Sequence, residues 1–149
     1  MVMYPLVYNR IEMSDQSTGF REHEHTADWE LEIWAPNYPL LLEQAALAMN
    51  ALAGIRLGSG PRTARKFSIT FNDLEQALVS FLEELLFIAD MENLAFDEFD
   101  IKVSSDKIAV EAFGTEILAI SKEIKAVTYH NLAVLSTRDG LSVRIVFDI

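Results

Sequence analysis

The 149-residue sequence contains no cysteine, so it can form no disulfide and hold no metal through thiolates; that absence fits a reducing, cytoplasmic setting. It has no apolar run approaching the roughly eighteen residues of a membrane span. The densest patch, Leu85 to Ala89, directly follows Glu83 and Glu84. The first residues hold Tyr4, Pro5 and Arg10 without a basic stretch leading into an apolar core, which argues against a secretion signal. Positive charge is scarce: 12 Lys and Arg stand against 23 Asp and Glu, a formal net charge of −11. Between Asp73 and Asp100 there is no Lys or Arg at all against nine acids, leaving fourteen acids against twelve bases elsewhere. A surface this negative repels phosphate backbones, so strong direct binding of nucleic acid is not expected. The acidic block reads either as a solvated helix face or as a docking face for a basic partner. A small basic cluster, Arg56, Arg62, Arg65 and Lys66, lies in and after a glycine-containing loop.

Half of the residues are hydrophobic and 10% aromatic, which suits one globular domain with a sizeable core. Residues 1–22 form a poorly patterned lead-in, part of it expected to be mobile, and the domain proper is read as 23–149. Trp29, Leu31, Ile33 and Ala35 alternate with Glu30, Glu32 and Trp34, the pattern of a half-buried strand that Pro36 ends. Asn37 is a plausible cap for a helix with Pro39 in its first turn; Leu41, Ala45, Ala48, Met49 and Leu52 form its core stripe, and Gly54 closes it. The loop Gly58-Ser59-Gly60-Pro61 lacks the Gly-Lys-Ser/Thr ending of a phosphate cradle and is a plain turn. Phe67, Ile69 and Phe71 suggest a second strand. Asn72-Asp73-Leu74-Glu75 suggests a capping box with Asn72 as cap, starting a helix that buries Leu74, Leu78, Phe81, Leu82, Leu85 and Ile88. A hairpin through Ser104-Ser105-Asp106-Lys107 follows, then a stretch from Gly114 to Ser121 that suits helix or strand. A β-branched strand from Glu123 on through Val134 and an Asp139-Gly140 turn lead into the last strand. The class is α+β: a single domain of two helices packed on a mostly antiparallel sheet.

Chemistry concentrates at the two ends of the domain. His23-Glu24-His25-Thr26-Ala27-Asp28 sets two imidazoles and a carboxylate at the lip of a strand, and Asp148 stands at the end of another. If those strands are neighbours, Asp28, Asp148 and the terminal carboxylate of Ile149 come together. Three carboxylates need a cation, and an all-oxygen set suits Ca²⁺, Mg²⁺ or Mn²⁺ above zinc. The plainer reading has Asp28 capping a turn and Asp148 as an exposed chain end, and spacing alone favours that one. His23, His25 and Asp28 could also hold zinc as a hydrolase site, but no general base accompanies them. Lys125 falls on a strand face with Val127 and Tyr129, placed either to snorkel or to reach a phosphate or carboxylate of a partner. His130 has the pattern of an ordinary hydrogen-bonded residue. No Ser–His–Asp or Cys–His arrangement appears, and nothing resembles a self-sufficient active site.

Four motifs in order, His25-Thr26-Ala27-Asp28, Glu43-Gln44-Ala45-Ala46-Leu47-Ala48-Met49, Lys125-Ala126-Val127-Thr128-Tyr129-His130 and the ending Phe147-Asp148-Ile149, together resemble the archease family. The resemblance implies a non-enzymatic protein cofactor of the RtcB-type RNA ligase, which joins RNA 3'-phosphate or 2',3'-cyclic phosphate ends to 5'-hydroxyl ends. It implies that the protein promotes guanylylation of the ligase histidine and so allows multiple turnover in tRNA splicing or RNA repair. An alternative role in the family is chaperone-like modulation of a tRNA methyltransferase. By the same resemblance the metal ligands fall on Asp28, Asp148 and Ile149, with Ca²⁺ first and Mn²⁺ or Mg²⁺ as alternatives. Lys125 would be a functional residue, and His25 would orient Asp28 or shape the site.

Overall fold

The computed structural model describes residues 17–24 and 28–149. The mobility expected of the lead-in therefore falls largely outside the described residues, and so does His25. Among the described residues the order is β1 (Gly19–Glu24), β2 (Asp28–Ala35), α1 (Tyr38–Ala53), β3 (Arg56–Leu57), β4 (Thr63–Thr70), α2 (Leu74–Glu92), β5 (Leu94–Val103), β6 (Lys107–Ala119), β7 (Ala126–Thr128), β8 (Leu135–Thr137) and β9 (Gly140–Asp148). The α+β class is as read, but the strands form two sheets instead of one. The first runs β1-β2-β9-β7, with β8 pairing the other end of β9; the second runs β3-β6-β4, with β5 on the opposite edge of β6. All of these pairings are antiparallel. Both helices touch both sheets: α1 packs on β2 and β5, and α2 on β5, β4 and β7.

The helices begin where short polar side chains replace missing backbone partners. Asn37 accepts from the Leu40 amide at 3.0 Å, Pro39 sits in the first turn of α1, and Gly54 ends the helix at φ 64. In α2 the cap is Asp73, not Asn72: its carboxylate accepts from Gln76 N at 2.7 Å, and the side-chain Oε1 of Gln76 accepts from Asn72 N at 2.9 Å. The reciprocal pattern is therefore shifted by one residue, which frees Glu75 to accept from Val134 N at 2.8 Å. Leu74, expected in the core, is 37% exposed for the same reason, because it opens the helix instead of lying within its buried stripe.

The inner faces of the sheets close on the helices. Leu31, Ile33 and Ala35 of β2 and Val143, Ile145 and Phe147 of β9 are buried with Leu41, Leu42 and Ala45 of α1. Phe81 of α2 lies 6.3 Å from Phe67 and 6.1 Å from Phe99, ring centre to ring centre, and so joins α2 to the second sheet. A bulge interrupts β5 between Phe96 and Glu98, opposite Gly114. Only glycine fits there, since a Cβ would stand 1.8 Å from the Ala95 carbonyl oxygen. The Asn50 side chain of α1 donates to the carbonyl of Phe96 at 2.8 Å and fastens the bulge.

Several elements differ from the expectation. β1 begins at Gly19, inside the stretch read as lead-in. The ambiguous Gly114–Ser121 stretch is the second half of the long strand β6 as far as Ala119. The long strand expected from Glu123 through Val134 is only Ala126–Thr128, followed by a loop in which Asn131 has φ 52. Arg62 and Arg65 are not a free basic cluster: Arg62 pairs with Asp97 at 2.6 Å and with Glu98 at 3.5 Å, and Arg65 with Glu92 at 2.6 Å. Part of the acidic block thus finds its counter-ions across space.

Candidate functional site

Strand register decides what the end of the first sheet presents. Asp28 of β2 lies opposite Asp148 of β9, and Asp148 lies opposite Ala126 of β7, so one row crosses three strands. In the next row Trp29, Phe147 and Val127 stand together, and Phe147 and Val127 are buried in the core. Because faces alternate residue by residue, Asp28, Asp148 and Ala126 point outward. The two carboxylates therefore stand side by side on an outward face, at the distance of directly paired residues, about 5 Å between Cβ atoms. Neither has a hydrogen-bond or ion-pair partner among the described residues. Ile149 follows Asp148 directly and is half-buried. Lys125 precedes β7; its backbone N–H donates to the Asp148 carbonyl at 2.8 Å, and its side chain is exposed. The strand face it was expected to share with Val127 and Tyr129 does not extend that far.

The structure thus brings Asp28, Asp148 and Lys125 to one edge, and Ile149 extends it. Two opposed carboxylates with oxygen ligands only are a set that fits a hard divalent cation. Among the described residues no cluster of three or more His, Cys, Asp or Glu side chains could hold a metal ion, so a cation here needs a further donor such as the carboxylate of Ile149. His23 does not add one: its Nε2 lies 3.3 Å from Glu32 Oε1. His130 is exposed, with Nε2 3.3 Å from the side-chain nitrogen of Asn131.

Rows further along the same outward face are charged but balanced. Arg144 Nη1 donates to Glu30 at 2.6 Å, and the hydrogen bond to Glu30 holds the guanidinium pKa above its ordinary value. Glu32 is approached by Arg21 at 3.2 Å and by Arg144 at 3.6 Å. On the inner face beside the edge, burial pushes the Glu22 carboxyl above its ordinary pKa, with Lys122 acting against it. Lys122 itself stands 4.2 Å over the ring of Trp29. Sequence reasoning missed Lys122 and Glu22, because only the fold reveals that β1 is a strand and that the 120–125 segment packs against β2.

Residues 20–149 match the model of the archease protein family (MTH1598/TM1083). Among curated proteins, an archease from Methanosarcina barkeri is 33% identical over 147 residues, covering 92% of this chain and all of that one. An archease from Pyrococcus furiosus is 31% identical over 134 residues, covering 81% and 91%. The solution structure of Methanobacterium thermoautotrophicum protein 1598 superposes with a TM-score of 0.67 at 25% identity, covering 88% of this chain and 99% of that one. The crystal structure of a Thermotoga maritima archease, described as a possible chaperone, gives 0.63 at 23% identity, covering 94% and 100%.

Proposed function

Since the chain belongs to the archease family, we propose that it acts on another protein instead of turning over a substrate, and that this partner is an RtcB-type RNA ligase. It promotes guanylylation of the ligase histidine and so sustains multiple turnover in tRNA splicing or RNA repair. The observation that carries the reading is the outward pair Asp28–Asp148 beside Lys125. Asp28, Asp148 and the carboxylate of Ile149 hold a divalent cation, Ca²⁺ first and Mn²⁺ or Mg²⁺ as alternatives. Bound there, the cation supplies positive charge at an otherwise acidic edge. Asp28 and Asp148 orient it, and Lys125 meets an acidic or phosphate group of the partner complex by charge, as positioning rather than bond making.

The test is multiple-turnover joining of RNA by the cognate ligase with and without this protein. Stimulation by the native chain and its loss in folded Asp28→Asn and Lys125→Ala variants are expected. Stimulation surviving in both variants discards this edge as the working site. No stimulation by the native chain turns the reading to the second role, chaperone-like modulation of a tRNA methyltransferase.

A further inference from the structure

Beside this edge an open cleft of about 940 Å³ runs between α2 and the 120–126 segment. Its floor is apolar, built from Leu86, Ala89, Ile55 and Ile124, and a smaller void of about 30 Å³ lies against the same residues. Phe87 of α2 stands on one wall, 59% exposed, and Ile120 on the other, 50% exposed. Such large apolar side chains are costly to leave in water when a complementary surface can cover them. Lys125 and Ala126 line this cleft and also flank the Asp28–Asp148 row, so cleft and edge are continuous.

Charge then says what fits. Glu83, Phe87 and Asp90 are spaced i, i+4, i+7 and share one face of α2, with the carboxylates about 10 Å apart on either side of the ring. Neither Glu83 nor Asp90 has an ion-pair or hydrogen-bond partner among the described residues, in contrast to Glu92, which Arg65 neutralises. An acid–apolar–acid wall above an apolar floor is complementary to a segment carrying a large apolar side chain bracketed by Lys or Arg. The opposite wall, with Lys122 and Lys125, sets the direction in which such a segment lies by repelling its basic residues toward α2.

We infer that this cleft seats an apolar segment of the partner protein bracketed by basic residues, anchoring the partner so that it overlies the Asp28–Asp148 edge. This deepens the docking reading above and rests on it, so the tests separate the two.

The first test needs no ligase. A synthetic amphipathic peptide with Leu anchors bracketed by Lys at seven-residue spacing is titrated into the full chain and followed by amide NMR; a peptide with Glu in place of Lys is the control. Shifts centred on Leu86, Phe87 and Ile124 are expected for the Lys peptide alone. Affinity should fall at least tenfold in Phe87→Ser and in Glu83→Lys/Asp90→Lys, and stay unchanged in Asp106→Lys/Glu111→Lys on β6 and the turn before it. Equal binding by all variants, or shifts scattered over the acidic surface, would overturn the inference. So would concentration-dependent shifts of the cleft residues without peptide, which would assign the cleft to a second copy of the chain.

The second test measures affinity for the cognate ligase. Weakening by Phe87→Ser with stimulation restored at saturating concentration supports the inference, whereas unchanged affinity sinks it while leaving the ligase reading intact. A native chain that takes the Lys peptide but not the ligase sinks the ligase reading and keeps the cleft.

Discussion

Along the outward face of the first sheet, the middle rows and the end row treat their carboxylates in opposite ways. In the middle, Glu30 and Glu32 are met by Arg144 and Arg21 from the neighbouring strands, so each acid has a cation within the same chain. At the end, Asp28 and Asp148 face one another in register, with no cation of the described chain on either. Directly opposed like charges destabilise a strand pair, whereas opposed unlike charges stabilise it modestly. The middle rows therefore serve folding. The end row works against it, a cost that the proposed cation would offset. Acidic residues in one sheet are thus sorted by what stands across the strand from them, which composition cannot reveal.

Neutralising the end row should give the largest effect and the clearest break in the comparison. Asp28→Asn is expected to abolish stimulation of the ligase outright. In chelator it should leave the fold as stable as the native chain or more stable by up to about 1 kcal/mol, because a like-charge pair is removed. Thermal unfolding with and without divalent cation reads this: the native chain gains stability from the cation and the variant does not. Lys125→Ala should likewise remove stimulation but leave the cation-dependent gain in place, since Lys125 lies beside the pair and does not ligate.

Arg144→Ala sharpens the other side of the comparison. Its pairs with Glu30 and Glu32 are exposed on the arginine side, so the cost should be small, a slight fall in Tm that shrinks as salt is raised, with stimulation retained. A loss of stimulation in this variant would show that the middle rows belong to the working surface after all.

The smallest effect is expected on the inner face. Burial raises the Glu22 pKa, so the fold favours the protonated form. That contribution is fully present below the ordinary value near 4.5 and is lost as pH rises through the raised one. Glu22→Gln should therefore be slightly more stable than the native chain at neutral pH, and the difference should vanish on acidification below that window. Urea unfolding at several pH values checks it.

What could be read beforehand follows the strength of local signals. The alternation of β2, the Asn37 cap, the Gly54 stop and the Asp139-Gly140 turn are each encoded within a few residues, and each is found in place. The meeting of Asp28 with Asp148 was legible only as a geometric conjecture, because register between strands more than a hundred residues apart is set by the whole core. β1 was missed because an edge strand tolerates charge on both faces, as Arg21, Glu22 and His23 do here. β7 is shorter than its β-branched sequence suggests; the chain leaves β9 after Thr128 and is held by Glu75 of α2 at Val134. The α2 cap lies one residue later because Asp73 accepts from Gln76 N while the Gln76 side chain reaches back to Asn72 N, which leaves Asn72 ahead of the helix. The cleft was invisible because Phe87 lies off the buried stripe of α2, and its opposite wall comes from a segment some thirty-five residues further on.

If the end row is a cation site, as proposed, it should take an ion before any partner is present. Calorimetric titration of Ca²⁺, with Mn²⁺ and Mg²⁺ in parallel, tests it most directly on four proteins: the native chain, Asp28→Asn, Asp148→Asn, and a chain extended by several residues past Ile149. A single ion bound by the native chain is expected, with binding lost, or weakened at least tenfold, in the other three. No binding by the native chain, or equal binding in all four, would contradict it.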